Sequence, residues 1–233
     1  MALNLTTLAR QMLDSSTFFQ LFEALDRRSD NRMSELGIIS QAFEFKKING
    51  VEGDYFEFGL WRGKTFRFAH RMKRRYRLPD VRLFGFDSFA GLPCVEDHYD
   101  NIWHEGQFAC SEVEFRRILQ QSGFMRSEYD LFPGFYENSL NDAAHARLDG
   151  CKAAIVYIDC DLYESTRCVL QFIARYLVNG TIVCFDDYYC YKAAPDQGEQ
   201  RALTEFIQEH KTIRFLPYFD YSPLGKSFIV RTG

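Results

Sequence analysis

The chain lacks any apolar run of the roughly 18 residues that a membrane span requires, and its first residues show no charged segment followed by an apolar one. It also lacks a basic excess, since 28 lysines and arginines stand against 32 aspartates and glutamates. A general nucleic-acid binder would normally show such an excess. These absences argue against membrane and nucleic-acid partners and favour small molecules.

Paired cysteines are missing as well, because the seven cysteines occur singly and none forms a C-x-x-C pair. Disulfide-framed secreted domains normally carry paired spacings, so this usage indicates reduced, mostly buried thiols. Internal repeats and low-complexity tracts are also absent. With 233 residues and 46% hydrophobic content, we expect a soluble, cytoplasmic protein that folds as a single domain over residues 1–233.

Apolar residues recur at helical spacing from Leu3 to about Lys47, which predicts two or three helices before any strand. We interpret residues 1–50 as a helical cap over one face of the domain, and these helices could supply a homodimer contact. Five strands should follow, at Asp54–Phe58, Val81–Phe86, Tyr129–Phe132, Ala153–Ile158 and Thr181–Phe185. Helices are predicted between them, at Lys64–Arg77, Ser111–Gln121, Tyr136–Leu148 and Ser165–Leu177.

This alternation of strands and helices predicts an α/β fold with a mostly parallel sheet and right-handed crossovers. A last helix, Gln197–Glu209, should precede two strands at Ile213–Leu216 and Lys226–Val230. Because the connection between these two is too short for a crossover, they should form an antiparallel hairpin. Residues 93–123 are long and mixed in pattern, and their aromatic content favours a lid.

The first strand runs into a glycine-containing turn, Gly59-Leu60-Trp61-Arg62-Gly63-Lys64-Thr65, and then into a helix. Glycines allow a ligand to approach the backbone, and a helix N-terminus presents free N–H groups. Gly63-Lys64-Thr65 resembles the end of a phosphate-binding P-loop, but only three residues separate Gly59 from Gly63 where that loop needs four. Asp87 ends the second strand, where a carboxylate can accept hydrogen bonds from a ribose diol. A nucleoside without a pyrophosphate is therefore the favoured ligand.

Two acidic pairs end neighbouring predicted strands: Asp159 and Asp161, then Asp186 and Asp187. Side chains at the carboxyl ends of parallel strands converge on one crevice. Clustered carboxylates repel one another and raise one another's pKa, so we favour a bound cation over separate helix-capping roles. Oxygen-only ligands suit a hard cation, Mg²⁺ above all.

Four segments in this order resemble the class I S-adenosylmethionine-dependent methyltransferases, and within them the macrocin and mycinamicin sugar O-methyltransferase family. These segments are Phe56–Thr65, Phe84–Pro93, Tyr157–Thr166 and Phe185–Tyr188. The resemblance extends from about residue 50 to the end and implies a Rossmann-like fold, here with seven strands and helices on both faces. It implies Mg²⁺-dependent methyl transfer to a hydroxyl of a small molecule, with a sugar or a glycosylated metabolite as the expected acceptor.

The resemblance also implies roles for particular residues. Glu57, Gly59 and Gly63 would line the methionine end of S-adenosylmethionine, Asp87 would hold its ribose, and Phe132–Leu140 would lie beside its adenine. The cofactor-binding residues expected in this way are Glu57, Gly59, Arg62, Gly63, Thr65, Asp87, Ser88, Gly134 and Phe135. Our hypothesis assigns Asp159, Asp186 and Asp187 to the metal and Asp161 to the catalytic base.

Two other functions remain open from the residues alone. The Gly63-Lys64-Thr65 turn could serve a nucleotide-dependent phosphotransferase, and the same fold could serve a non-catalytic cofactor-binding protein. No motif in the sequence identifies the acceptor molecule.

Overall fold

The computed structural model describes residues 34–94 and 103–233. Within these ranges, seven strands form one sheet: β1 (Asp54–Phe58), β2 (Leu83–Asp87), β3 (Tyr129–Pro133), β4 (Ala153–Ile158), β5 (Leu177–Phe185), β6 (Ile213–Tyr221) and β7 (Gly225–Thr232). The helices are α1 (Glu35–Asn49), α2 (Lys64–Arg75), α3 (Glu112–Gln121), α4 (Tyr136–Ser139), α5 (Asp142–Arg147), α6 (Tyr163–Ile173) and α7 (Gly198–Glu209). The described residues also form three short 3₁₀ segments, Arg126–Glu128, Ala174–Tyr176 and Tyr191–Ala193.

The sheet order is β3-β2-β1-β4-β5-β7-β6. The first five strands pair in parallel, and β7 runs antiparallel to both β5 and β6. This confirms the predicted seven-stranded, mostly parallel sheet with an antiparallel C-terminal hairpin. The carboxyl ends of β1, β2, β4 and β5 consequently meet at one edge, where the acidic pairs were expected.

Helices cover both faces of the sheet, as predicted. Tyr55 and Tyr157 pack on the face covered by α1, α2 and α3, whereas Phe56 and Val156 pack on the face covered by α5, α6 and α7. All six residues of β4 are buried, which explains its continuous apolar sequence. No helix in the described ranges is long and apolar enough to cross a membrane.

The prediction of a single helix at Tyr136–Leu148 is wrong, because two short helices, α4 and α5, occupy that segment. Asn141 separates them, and its side chain accepts hydrogen bonds from the N–H groups of Ala143 and Ala144 at 2.9 and 3.1 Å. An asparagine that caps a helix in this way starts a new one. The N-terminal helices predicted before Met33, and residues 95–102 of the expected lid, lie outside the described residues.

Candidate active site

A pocket of about 310 Å³ opens at the carboxyl edge of the sheet. The turn after β1 and the acidic residues after β4 and β5 both line it. Six of the nine expected cofactor-binding residues do so as well: Gly59, Thr65, Asp87, Ser88, Gly134 and Phe135. The two halves of the predicted site therefore face one cavity.

The two glycines of the turn are required by their neighbours. Gly59 has φ +86°, and a Cβ there would lie 1.7 Å from the carbonyl oxygen of Asp159. Gly63 has φ +69°, and a Cβ there would lie 2.8 Å from the ring of Phe115 in α3. Only glycine accepts both the left-handed backbone and such an approach. Close packing of β1, β4 and α3 thus explains these glycines without reference to a ligand.

Glu57 lies behind the turn and does not line the pocket, although we expected it there. Its side chain is completely buried, and its carboxylate accepts hydrogen bonds from the hydroxyls of Thr65, at 2.6 Å, and Tyr55. Burial raises the pKa of Glu57 to about 8. Arg62 and Gly63 are likewise absent from the lining, and Arg62 Nη1 donates to Glu114 Oε1 of α3 at 3.0 Å. These three residues support the turn from outside the cavity.

Asp87 holds the same turn from the end of β2. Its Oδ2 accepts hydrogen bonds from the N–H groups of Leu60 at 2.6 Å and Trp61 at 3.3 Å. Its Oδ1 accepts one from Phe89 N–H at 2.6 Å. Burial raises the pKa of Asp87, and these hydrogen bonds oppose that rise. A carboxylate has about four acceptor positions, so this one can still accept from a ligand hydroxyl.

Three of the aspartates that line the pocket converge. One carboxylate oxygen each from Asp159, Asp161 and Asp187 lies within 4.8 Å of the others. Asp161 has φ +60°, an uncommon backbone conformation for a residue other than glycine. Its carboxyl group shares a hydrogen bond with Asp187. The spacing and the oxygen-only donors fit a hard divalent cation.

Burial acts on all three carboxyl groups, and repulsion from neighbouring aspartates adds to it at Asp159 and Asp161. Burial raises the pKa of Asp159 and of Asp161 well above the usual range, and neighbouring aspartates add to both shifts. The pKa of Asp187 is also raised by burial. Negative charge is therefore costly here unless a cation balances it.

Asp186 lies beside this cluster and is not a member of it among the described residues. Tyr157 donates its hydroxyl to Asp186 Oδ1 at 2.6 Å. Burial raises the pKa of Asp186 to about 7, with a further contribution from Asp187. The structure thus groups Asp161 with Asp159 and Asp187, where the hypothesis had placed Asp186. The division of roles between Asp161 and Asp186 stays a prediction.

Sequence reasoning missed several residues that line the pocket. Glu35, at the start of α1, accepts a hydrogen bond from Lys64 Nζ at 2.7 Å. The ring of Phe108 packs against those of Trp61 and Trp103, with centroids 5.6 and 5.8 Å away. Trp61 lies inside a recognised motif and could have been found, whereas nothing in the local pattern marks Glu35 or Phe108.

Comparison with known proteins places the chain in a family. A family model described as macrocin-O-methyltransferase (TylF) matches residues 28–221. The 8-demethyl-8-(2,3-dimethoxy-alpha-L-rhamnosyl)-tetracenomycin-C 4'-O-methyltransferase of Streptomyces olivaceus is 29% identical over 187 residues, which cover 76% of this chain and 70% of that protein. The mycinamicin III 3''-O-methyltransferase of Micromonospora griseorubida is 26% identical over 189 residues, which cover 76% and 72%.

A solved structure, that of the O-methyltransferase NovP, is 26% identical with a TM-score of 0.69, and the match covers 85% of this chain and 79% of NovP. The family match includes the glycine turn, Asp87 and all four strand-end aspartates. The phosphotransferase and non-catalytic alternatives are therefore set aside. The chain belongs to the macrocin-O-methyltransferase (TylF) family, as the resemblance predicted, and is an S-adenosylmethionine-dependent O-methyltransferase of class I.

Proposed function

We propose that this enzyme methylates a sugar hydroxyl of a glycosylated small molecule and that Mg²⁺ takes part. The observation that carries the proposal is the clustering of Asp159, Asp161 and Asp187 within 4.8 Å in the pocket that the glycine turn also lines. The names of the tetracenomycin and mycinamicin relatives support the acceptor class, since each methylates a position of such a compound.

The cofactor half of the proposal rests on the turn and on Asp87. S-Adenosylmethionine would lie along Gly59, Thr65, Asp87, Ser88, Gly134 and Phe135, with its ribose near Asp87. Glu57, Arg62 and Gly63 would act by holding the turn in shape. Asp87 already accepts hydrogen bonds from the N–H groups of Leu60, Trp61 and Phe89. The same carboxylate would therefore contact the ribose and hold the turn that lines the methionine position.

The metal half rests on the donor set. We assign Asp159, Asp186 and Asp187 to Mg²⁺, which when bound would stabilise the acceptor oxygen as it loses its proton. Asp161 would accept that proton, because its carboxyl group lies beside Asp187 in the same cluster. Tyr157 donates its hydroxyl proton to Oδ1 of Asp186, so Oδ2 would be the metal ligand. The observed cluster offers a rival assignment in which Asp161 is the third ligand.

Two variants separate these assignments. Asp161→Asn should abolish turnover and leave Mg²⁺ and S-adenosylmethionine binding intact, whereas Asp186→Asn should weaken Mg²⁺ binding. Calorimetry with each ligand and a methyl-transfer assay on a glycoside would measure both effects. If Asp161→Asn loses Mg²⁺ and Asp186→Asn keeps it, Asp161 is the ligand. Full activity after removal of divalent cations would refute the metal role.

A further inference from the structure

A fifth carboxyl group lies against the acidic cluster. Glu199 is the second residue of α7, and the loop after β5 brings it next to Asp187. A glutamate in the first turn of a helix normally lies at the surface, where it interacts favourably with the helix dipole. This one is only 1% exposed. The sequence pattern gave no reason to connect it with the site.

Glu199 contacts Asp187 through the backbone. Its Oε2 accepts a hydrogen bond from Asp187 N–H at 3.1 Å. Cys190 donates its thiol proton to Asp187 Oδ1 at 3.1 Å, and Asp161 shares a hydrogen bond with the same carboxyl group. Asp187 is therefore held at its backbone by Glu199 and at its side chain by Cys190 and Asp161.

The burial of Glu199 works against the stability of the fold. Its Oε1 has no hydrogen-bond partner among the described residues, and Asp161, Asp186 and Asp187 all lie close enough to repel a charge on it. A buried polar atom left unpaired is destabilising, because it loses its hydrogen bonds to water. Because the burial of Glu199 destabilises the fold, a role in the adjacent acidic site explains this burial better than packing does.

We propose that Glu199 is a positioning residue that fixes Asp187 for the bound divalent cation through the Asp187 N–H group. The role depends on the reach and acceptor oxygen of the side chain, and a negative charge is not required. The inference rests on the metal site of the proposed function. Partners that orient metal ligands in this way contribute about 10- to 100-fold to metal affinity.

Two substitutions separate reach from charge. Glu199→Gln keeps the length and an acceptor oxygen but removes the charge, so its affinity for Mn²⁺ should stay close to that of the wild type. Glu199→Asp keeps the charge but withdraws the oxygen by one methylene, so its affinity should fall by about 10- to 100-fold. Electron paramagnetic resonance of free Mn²⁺ during titration of the cofactor-free protein measures both affinities without any turnover.

Glu205→Asp is the matched control, because Glu205 lies on the same helix and contacts Tyr163 and Arg201 away from the cluster. It should leave Mn²⁺ affinity unchanged. Glu199→Ala provides a second way to remove the acceptor should Glu199→Asp fail to fold, and the same loss is expected.

Three results would overturn the inference. Wild-type affinity in both Glu199→Asp and Glu199→Ala would exclude a positioning role. A loss in Glu199→Gln equal to that in Glu199→Asp would show that charge matters. If the wild type binds no Mn²⁺, the metal site of the proposed function fails and the inference fails with it, whereas the first two results leave that site intact.

Discussion

At the scale of single residues, the glycine turn depends on a buried acid that never reaches the pocket. Glu57 supports the turn through Thr65, and its pKa is raised to about 8 because it is fully buried. Between pH 4.5, its usual pKa, and about 8, the folded chain retains a proton that the unfolded chain releases. This group therefore makes the protein less stable as pH rises through that window.

Glu57→Gln should remove this pH dependence, since an amide keeps acceptor and donor atoms and does not titrate. The free energy of unfolding of the wild type, minus that of the variant, should fall between pH 5 and 8 by up to about 1.4 kcal/mol per pH unit. Urea unfolding across this range measures it. Glu44→Gln, at an exposed position of α1, is the control and should show no such trend. A difference independent of pH would contradict the account.

At the scale of elements, the site depends on how closely β1 and β4 end beside each other. Gly59→Ala would push a methyl group into the carbonyl of Asp159, 1.7 Å from its Cβ, and should cost several kcal/mol or prevent folding. Gly150→Ala is the control, because Gly150 has φ +71° with nothing within 4 Å of its Cβ. It should cost only about 1–2 kcal/mol of backbone strain. Equal losses in the two variants would refute the close-approach explanation.

The sequence predicted most elements because their patterns are local. β4 is a continuous apolar run and α7 has an apolar stripe, so each has its own signal. β5 begins at Leu177, four residues before the predicted start at Thr181. Asn179 and Gly180 are poor strand formers, so the sequence pattern argued against a strand there, but tertiary contacts override that preference. The Asn141 cap that divides Tyr136–Leu148 was overlooked for a different reason, since alanine-rich segments look helical throughout.

The candidate site was predictable only where its residues end strands. The aspartates after β4 and β5 and Asp87 after β2 follow from topology, because parallel strand ends converge. Glu199 and Glu35 come from helices whose approach is set by long-range packing, and no local pattern reports that. The position of Glu57 behind the turn likewise depends on which face of β1 meets α2.

At the scale of the whole molecule, the pocket concentrates acidic side chains. Among the described residues, seven carboxyl groups line it beside one lysine, Lys64; they belong to Glu35, Asp87, Glu137, Asp159, Asp161, Asp186 and Asp187. Cation binding should relieve the repulsion among these carboxyl groups, so Mg²⁺ should stabilise the fold. A ligand at 100 times its Kd adds about 2.7 kcal/mol, which is several degrees in Tm for a chain of this size.

Scanning calorimetry with Mg²⁺, and with NaCl at equal ionic strength as the control, measures that stabilisation. The Tm should rise with Mg²⁺ well beyond any effect of NaCl. A double variant, Asp159→Asn with Asp187→Asn, should lose the Mg²⁺ response. The same rise with NaCl would point to general screening of charge and not to a site.

The central claim is that a divalent cation and S-adenosylmethionine share this one pocket. Nuclear magnetic resonance of the ¹³C-labelled methyl group of bound S-adenosylmethionine tests it most directly, with Mn²⁺ compared against Mg²⁺. We expect Mn²⁺ to broaden the methyl signal strongly in the wild type and to leave it sharp in Asp187→Asn. An identical, sharp signal with both metals in the wild type would contradict the claim.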